Sequence, residues 1–473
     1  MRTMPQAAIL TGDGRVQRCA HCLLLPQVQT TQTSDKNEQR NGPFTGCRQG
    51  CNMVFYCNDH FKGPQGIARN CPQRDWDLFH QYECGFLKLL HYVTDLSATQ
   101  IQDPTLVSIY EQLEQHHREA IVNYRTKDEF EQDYCRVLMR ILSLRFREMV
   151  SKEELCTVYA GQQISSTDQD LVFRPEPFAS MMTLTENRES YPSEKLKGDM
   201  VDVAKILDAY QGYLHLWYQQ QQSQGQGSGA GASLSRLSPD DLLGLVCREE
   251  CNSFGLYAYP PGGDHKEYLT SRRDISTNAK VGYGLGLFRF ASSFNHSCSP
   301  NLYHVAYGPQ FLVYAARDIE PKEELNIFYL EPGPTYRLDR LAGPHVTISD
   351  PSRLGPEQEM DQRKAALQSR RAYLEEIFHF SCTCTRCHWE ESQIQTLNAR
   401  ILRQDGNNAL QQYEPEDEKE TFLRLGLLCN RSGCYGFFAP PVVANVLIEQ
   451  RGWNSLFMDP NKWVCVACGA LQH

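Results

Sequence analysis

The sequence predicts an α+β protein whose helical and stranded body is braced by small metal-held modules. Three observations carry that reading. Apolar residues recur at helical spacing between residues 85 and 218. Past residue 280 the pattern shortens to strand-like runs, of which Phe311-Leu312-Val313-Tyr314-Ala315-Ala316 reads as a buried strand. The 19 cysteines fall mostly in close pairs or triplets. At 473 residues and 41% hydrophobic content the chain can bury real cores, in roughly two to four folded units.

The net charge of -10 argues against a surface built to grip nucleic acid, so direct nucleic-acid binding is not expected. No apolar run of about 18 residues occurs, which predicts no membrane span. Met1-Arg2-Thr3-Met4-Pro5 lacks the layout of a secretory signal. The expectation is an intracellular protein of the cytoplasm, the nucleus or both, in which cysteines serve metal rather than disulfides.

In chain order, residues 1–92 hold the first cluster: Cys19-x2-Cys22, Cys47-x3-Cys51, Cys57, Cys71 and His80-x3-Cys84. Seven cysteines and one histidine are what two closed tetrahedral zinc sites require. His60 also has workable spacing, so His60 and Cys71 compete for one ligand position. Residues 93–218 read as helical, from Leu106, Ile109, Tyr110 and Leu113 and again from Leu138, Ile141, Leu142 and Leu144. Cys135 and Cys156 fall there as small core residues, and His116 and His117, in a polar run, read as solvated. Residues 219–237, rich in Gln, Gly and Ser, read as a low-complexity linker. Ser238-Pro239-Asp240-Asp241 then restarts a helix, serine as cap and proline in the first turn.

Residues 238–330 carry the densest signal. Asn295-His296-Ser297-Cys298-Ser299-Pro300-Asn301 is a run of small polar residues after an apolar stretch, and Glu323-Glu324-Leu325-Asn326-Ile327-Phe328-Tyr329 is a charged turn feeding a short strand. The glycines of Val281–Leu287 lack the Gly-Lys-Ser partner of a phosphate loop and read as a tight turn into a helix. Residues 331–362 read as a disordered insertion. Within 363–392, a helix leads to Cys382-x-Cys384-x2-Cys387, three ligands where a closed site needs four; a redox or cluster site is the alternative. In 393–473, Cys429-x4-Cys434 and Cys465-x2-Cys468 have the pairing of a small zinc ribbon that follows a helix.

Asn295-His296-Ser297-Cys298 and Tyr329, spaced by one hairpin, resemble the two signature motifs of SET-domain protein lysine methyltransferases. The first cysteine cluster resembles a MYND zinc finger, and together they are similar to the SET-and-MYND family. The resemblance implies that Cys19, Cys22, Cys57 and Cys71 hold one zinc and Cys47, Cys51, His80 and Cys84 a second. It implies that Cys298 completes a post-SET site with Cys382, Cys384 and Cys387, giving about four Zn2+ once Cys429, Cys434, Cys465 and Cys468 are counted. S-adenosyl-L-methionine is the implied cofactor, contacted by Asn295, His296, Tyr329 and Phe380, with Tyr329 catalytic. Asn252, Ser253, Phe254 and Phe378 are the implied substrate channel. The partners implied are a protein lysine and, through the finger, proline-rich peptides. In the family a Gly-x-Gly SET segment precedes the finger; here Cys19 follows Gly12-Asp13-Gly14 by only five residues, so that segment is expected to be missing.

Two function classes follow. One is an S-adenosylmethionine-dependent lysine N-methyltransferase, in which a narrow aromatic channel desolvates the amine and lowers its pKa. The other is a catalytically weak or inactive zinc-binding adaptor that mediates protein–protein contacts. The complete Asn-His-Ser-Cys and Tyr329 favour the enzyme.

Overall fold

The computed structural model describes residues 2–3, 7–10, 19–20, 44–57, 71–127, 129–150, 177–224, 234–258, 281–298, 300–307, 310–315, 318–329, 356–403, 438–439 and 464–465. The chain begins with two short strands, β1 (Arg2–Thr3) and β2 (Ala7–Leu10). A hairpin of β3 (Phe44–Gly46) and β4 (Phe55–Cys57) follows. Helix α1 (Cys71–Asp75) passes through a wide turn, Trp76–His80, into α2 (Gln81–Tyr92). The expected helical middle is present as α3 (Pro104–Gln112), α4 (Gln115–Tyr124), α5 (Glu129–Val150), α6 (Phe178–Met181), α7 (Ser193–Lys197), α8 (Asp199–Ser223) and α9 (Pro239–Asn252).

Helix α5 explains why this unit holds together. From Tyr134 to Leu144 every residue is buried, including Val137, Leu138, Met139, Ile141 and Leu142. A helix that is buried all round is a core helix, and each such side chain contributes about 1.5–3 kcal/mol by leaving water. Around it pack Phe86, Tyr110, Ile121, Leu207, Tyr210 and Leu245 from five neighbouring helices. Ser238 caps α9 as the sequence predicts: its hydroxyl accepts from the Asp241 N–H at 3.1 Å, Asp241 answers on the Ser238 N–H, and Pro239 opens the first turn.

The stranded body comprises β5 (Ser253–Ala258), β6 (Val281–Leu287), β7 (Asn295–His296), β8 (Leu302–Tyr307), β9 (Gln310–Ala315) and β10 (Asn326–Ile327). One antiparallel sheet has the order β2-β6-β5 and the other β1-β9-β8. The amino-terminal residues are therefore part of both sheets: Ala7 pairs with Leu287, Leu10 with Gly284, and Arg2 with Leu312. Gly12-Asp13-Gly14 lies outside the described residues. The glycine-rich Val281–Leu287 is a correction, since it forms the central strand of its sheet instead of a turn into a helix. Backbone pairing on both edges outweighs the weak strand preference of glycine.

After Tyr329 the next described elements are α10 (Pro356–Phe378) and α11 (Thr385–Arg403). Helix α10 begins at 356, so the proposed disordered insertion is corrected at its end; residues 331–355 lie outside the described set. Likewise α8 extends to Ser223 into the proposed linker. Strands β11 (Phe438–Ala439) and β12 (Val464–Cys465) pair antiparallel, joining the backbones near the last two cysteine pairs. Among the described residues no helix is long and apolar enough to cross a membrane.

Candidate active site and metal centres

Strand β7 holds the Asn-His pair because it bridges β10 in parallel, Asn295 opposite Asn326 and His296 opposite Ile327. Asn301, fully buried, locks the two segments together. Its Oδ1 accepts from the Asn326 N–H at 2.9 Å, and its Nδ2 donates to Glu323 at 3.0 Å and to the Glu324 carbonyl at 2.8 Å. The Asn295 amide donates to the Glu324 carboxylate at 2.6 Å. Sequence reasoning missed Asn301 as a site residue, although it closes the same polar run.

His296 is buried between these segments. Its Nδ1 accepts from the Tyr329 N–H at 3.0 Å, which leaves Nε2 as the protonated nitrogen, 3.3 Å from Cys298 Sγ. The Tyr329 hydroxyl donates to the Phe294 carbonyl at 2.6 Å, and burial pushes its pKa up to about 12. Phe378 and Phe380 face the Tyr329 ring at 4.9 and 6.2 Å, the second edge-on. They flank His379, whose φ of 61° turns the chain sharply at the end of α10.

These groups line a cleft of about 760 Å³, of a size suited to a cofactor. Of the predicted site residues, Asn252, Asn295, His296, Tyr329, Phe378 and Phe380 line it. Ser253 and Phe254 are not among its lining; Phe254 packs on Phe311 at 4.7 Å and Phe288 at 6.0 Å in the sheet core. The split falls at the junction of two elements: Asn252 ends α9 at the cleft, whereas β5 starts at Ser253 and carries Phe254 into the sheet core. Thr185 and Asn187, from the helical unit, form a wall the motifs did not signal.

Two groups of metal-type ligands converge. Cys47, Cys51, His80 and Cys84 present four ligand atoms within 4.8 Å of one another, as do Cys298, Cys382, Cys384 and Cys387. A tetrahedron with Zn–S near 2.3 Å has sulfur–sulfur edges of about 3.8 Å. Cys47–Cys84 and Cys298–Cys387 are 3.7 Å apart and Cys298–Cys382 is 3.9 Å. His80 Nε2 lies 3.0 Å from Cys47 Sγ and 3.5 Å from Cys51 Sγ. All eight thus fit a tetrahedral ion, and their seven cysteines are free thiols.

Buried charges surround both groups. Glu83 meets His80 Nδ1 at 3.2 Å and Arg140 at 3.1 Å. Burial opposes its ionisation, but Arg140 and the His80 hydrogen bond hold its carboxyl at about 2. Beside the second group, Arg370 and Arg386 both pair with Glu390, and Arg386 also donates to the Cys298 carbonyl at 3.3 Å. Two buried guanidiniums suit a site whose four thiolates outweigh one divalent ion.

For the remaining expected ligands, Cys19 and Cys71 are buried in one cluster with Cys51 and Cys84. Cys22, His60, Cys156, Cys429, Cys434 and Cys468 lie outside the described residues, as do the side chains of Cys57 and Cys465. His117 is a correction: it is buried, 3.2 Å from Asp208, while His116 is exposed. Ala120, Ile121 and Tyr124 continue its face of α4 at helical spacing, which was the readable signal.

Residues 98–330 match the family model for the SET domain. That match, together with the similarities that follow, supports a SET-and-MYND-like family. It is 32% identical over 114 residues to histone-lysine N-methyltransferase SMYD3 of Homo sapiens, covering 24% of this chain and 19% of that protein. The mouse SMYD3 is 31% identical over the same length. The potential protein lysine methyltransferase SET6 of Saccharomyces cerevisiae is 27% identical over 147 residues, 31% of this chain and 27% of that protein. The chain thus spans under a third of the length of each of these relatives.

Proposed function

We propose that this protein transfers a methyl group from S-adenosylmethionine to a lysine side chain of a protein substrate. The observation that carries the reading is the single proton of the Tyr329 hydroxyl, committed to the Phe294 carbonyl at 2.6 Å. With its proton directed there, the oxygen offers a lone pair, which can accept an N–H of an incoming amine. That contact orients the nitrogen lone pair towards the methyl donor. A hydroxyl with a pKa near 12 stays neutral through the working range, so it does not stabilise the unreactive ammonium form.

Phe378 and Phe380 exclude water around that hydroxyl and favour neutral lysine, whose pKa in water is about 10.4. Asn295 and His296 are the residues to hold the cofactor, through the β7 backbone and the Asn295 side chain, with the Glu324 carboxylate beside them. When bound, S-adenosylmethionine supplies an activated methyl on a positive sulfonium. An electronegative wall formed by Glu324 suits that charge.

The same reading assigns zinc to both convergent groups, one as half of a MYND finger and one as a post-SET site. Cys19, Cys22, Cys57 and Cys71, and the cysteines of the terminal ribbon, would bring the total to about four ions. The finger would dock proline-rich peptides. Elemental analysis tests the count, and two or fewer zinc ions per chain would overturn the four-site assignment.

Calorimetric titration with S-adenosylmethionine, followed by transfer of radiolabelled methyl to a mixed protein extract, tests the activity. Saturable binding and label on lysine are expected. The absence of both binding and transfer would overturn the reading and leave the zinc-bearing adaptor in its place.

A further inference from the structure

Helix α5 packs Leu144 against Leu78 and Phe79 and sends Arg140 into the buried charged groups beside them. Arg140 is 3% exposed, and its Nη2 donates to Glu83 Oε1 and to Asp75 Oδ2, each at 3.1 Å. The same Glu83 oxygen lies 3.2 Å from His80 Nδ1, and the Tyr56 hydroxyl donates to Asp75 Oδ2 at 2.7 Å. Tyr56 belongs to β4, Asp75 to α1 and Glu83 to α2, so three elements of the finger converge on one guanidinium of the helical unit. All five side chains of this relay are buried. Arg140 also lies over the Phe79 ring at 5.1 Å, next to the ligand His80.

Isolated charges at this depth cost several kcal/mol each, so the arrangement holds only as a set. The relay also has a direction. His80 turns Nε2 to the sulfurs of Cys47 and Cys51 and Nδ1 to Glu83. Glu83 as acceptor keeps the proton on Nδ1, which leaves the Nε2 lone pair free for a metal. Arg140 in turn keeps Glu83 in place.

We propose that Glu83 and Arg140 are positioning residues of the Cys47–Cys51–His80–Cys84 metal site, and that through them metal occupancy and the docking of α5 on the finger form one linked equilibrium. Metal orders the His80 ring, the ring orders Glu83, and Glu83 completes the pairing of Arg140. By reciprocity, a well-docked α5 tightens the site. This inference rests on the metal reading of the cluster and is independent of methyl transfer.

The test uses the full chain and zinc alone. Zinc affinity is read by competition with a chromophoric chelator, and docking by amide hydrogen exchange of residues 134–144 before and after chelation. Arg140→Met removes a group that touches no ligand, yet it should weaken one zinc site by about 10–100-fold, as should Glu83→Gln. Arg140→Lys, which keeps the charge, should recover part of that loss. Leu207→Ala, a cavity in the same helical core, should lower stability and leave zinc affinity within about twofold of the parent. Chelation should raise exchange across 134–144 in the parent and have little further effect in Glu83→Gln. Parent-like zinc affinity in Arg140→Met would overturn the proposal. So would an equal loss in Leu207→Ala, or exchange in α5 that chelation leaves unchanged. Should Arg140→Met fail to fold, Glu83→Gln and Arg140→Lys report the same affinity and decide the matter.

Discussion

The backbone N–H of Tyr329 donates to Nδ1 of His296 at 3.0 Å. Through Nε2, 3.3 Å from Cys298 Sγ, the same ring touches the four-cysteine group. One imidazole therefore joins the tyrosine at the cleft to a metal-type ligand, and it sits on the strand that carries Asn295. Disturbing either end should be felt at the other.

Cys298→Ala should cost the protein one zinc and loosen His296 and Asn295. S-adenosylmethionine affinity should fall by about tenfold or more, although the Cys298 side chain is placed among the sulfurs and not against the cofactor. Elemental analysis and calorimetry on the same sample read both quantities. A variant that lacks one zinc and binds the cofactor normally would separate the two roles.

Tyr329→Phe should keep the fold, the zinc content and cofactor binding while losing most transfer. On the proposed mechanism the hydroxyl orients the amine during reaction and adds little to ground-state binding, so the loss belongs in kcat more than in KM. A loss on the order of 10²–10⁴-fold is expected for a positioned group of this kind. Steady-state kinetics on any labelled substrate measures it, and an unchanged kcat would remove Tyr329 from the chemistry.

Glu249, fully buried on α9 three residues before Asn252, supplies a pH test. Burial first, and the neighbouring Glu250 second, push its carboxyl from 4.5 up to about 8. The folded protein therefore holds this proton more tightly than the unfolded chain does. Its contribution to stability is complete below about pH 4.5 and is lost as pH rises towards 8, at about 1.4 kcal/mol per pH unit. Glu249→Gln should flatten the fall in melting temperature across that window. An identical pH profile in the variant would show that Glu249 does not titrate there.

His379 holds a left-handed conformation, φ 61°, between the two phenylalanines that face Tyr329. Glycine tolerates that conformation and a β-branched residue does not. His379→Val should destabilise the chain by about 1–2 kcal/mol and weaken the aromatic wall, whereas His379→Gly should stay near the parent. Denaturant titration of both variants checks this, and equal stabilities would show that the turn carries no strain.

Much of the site was readable because its chemistry comes in short spacings. The Asn-His-Ser-Cys run, the cysteine pairs and Tyr329 are patterns of one to five residues, and His80 with Cys84 needs only one helical turn to bring both ligands to one face. Helical periodicity likewise announced the buried middle, and Ser238 with Pro239 announced a helix start.

What the sequence by itself determined is which residue types stand at local spacing: the ligand pairs, the helical faces and the polar run that ends in Asn301. What only the tertiary structure decided is which distant groups meet. Cys298 reaches Cys382 across 84 residues, Arg140 reaches Glu83 across 57, and Arg2–Thr3 and Ala7–Leu10 join strands near 312 and 285. Phe254 and Phe378 are both aromatic in the sequence, but only the second lines the cleft. The physical reason is that spacing along one helix or strand is set by backbone geometry. Meetings between elements depend on how whole hydrophobic faces and buried charges are satisfied together, and no short window of sequence contains that condition.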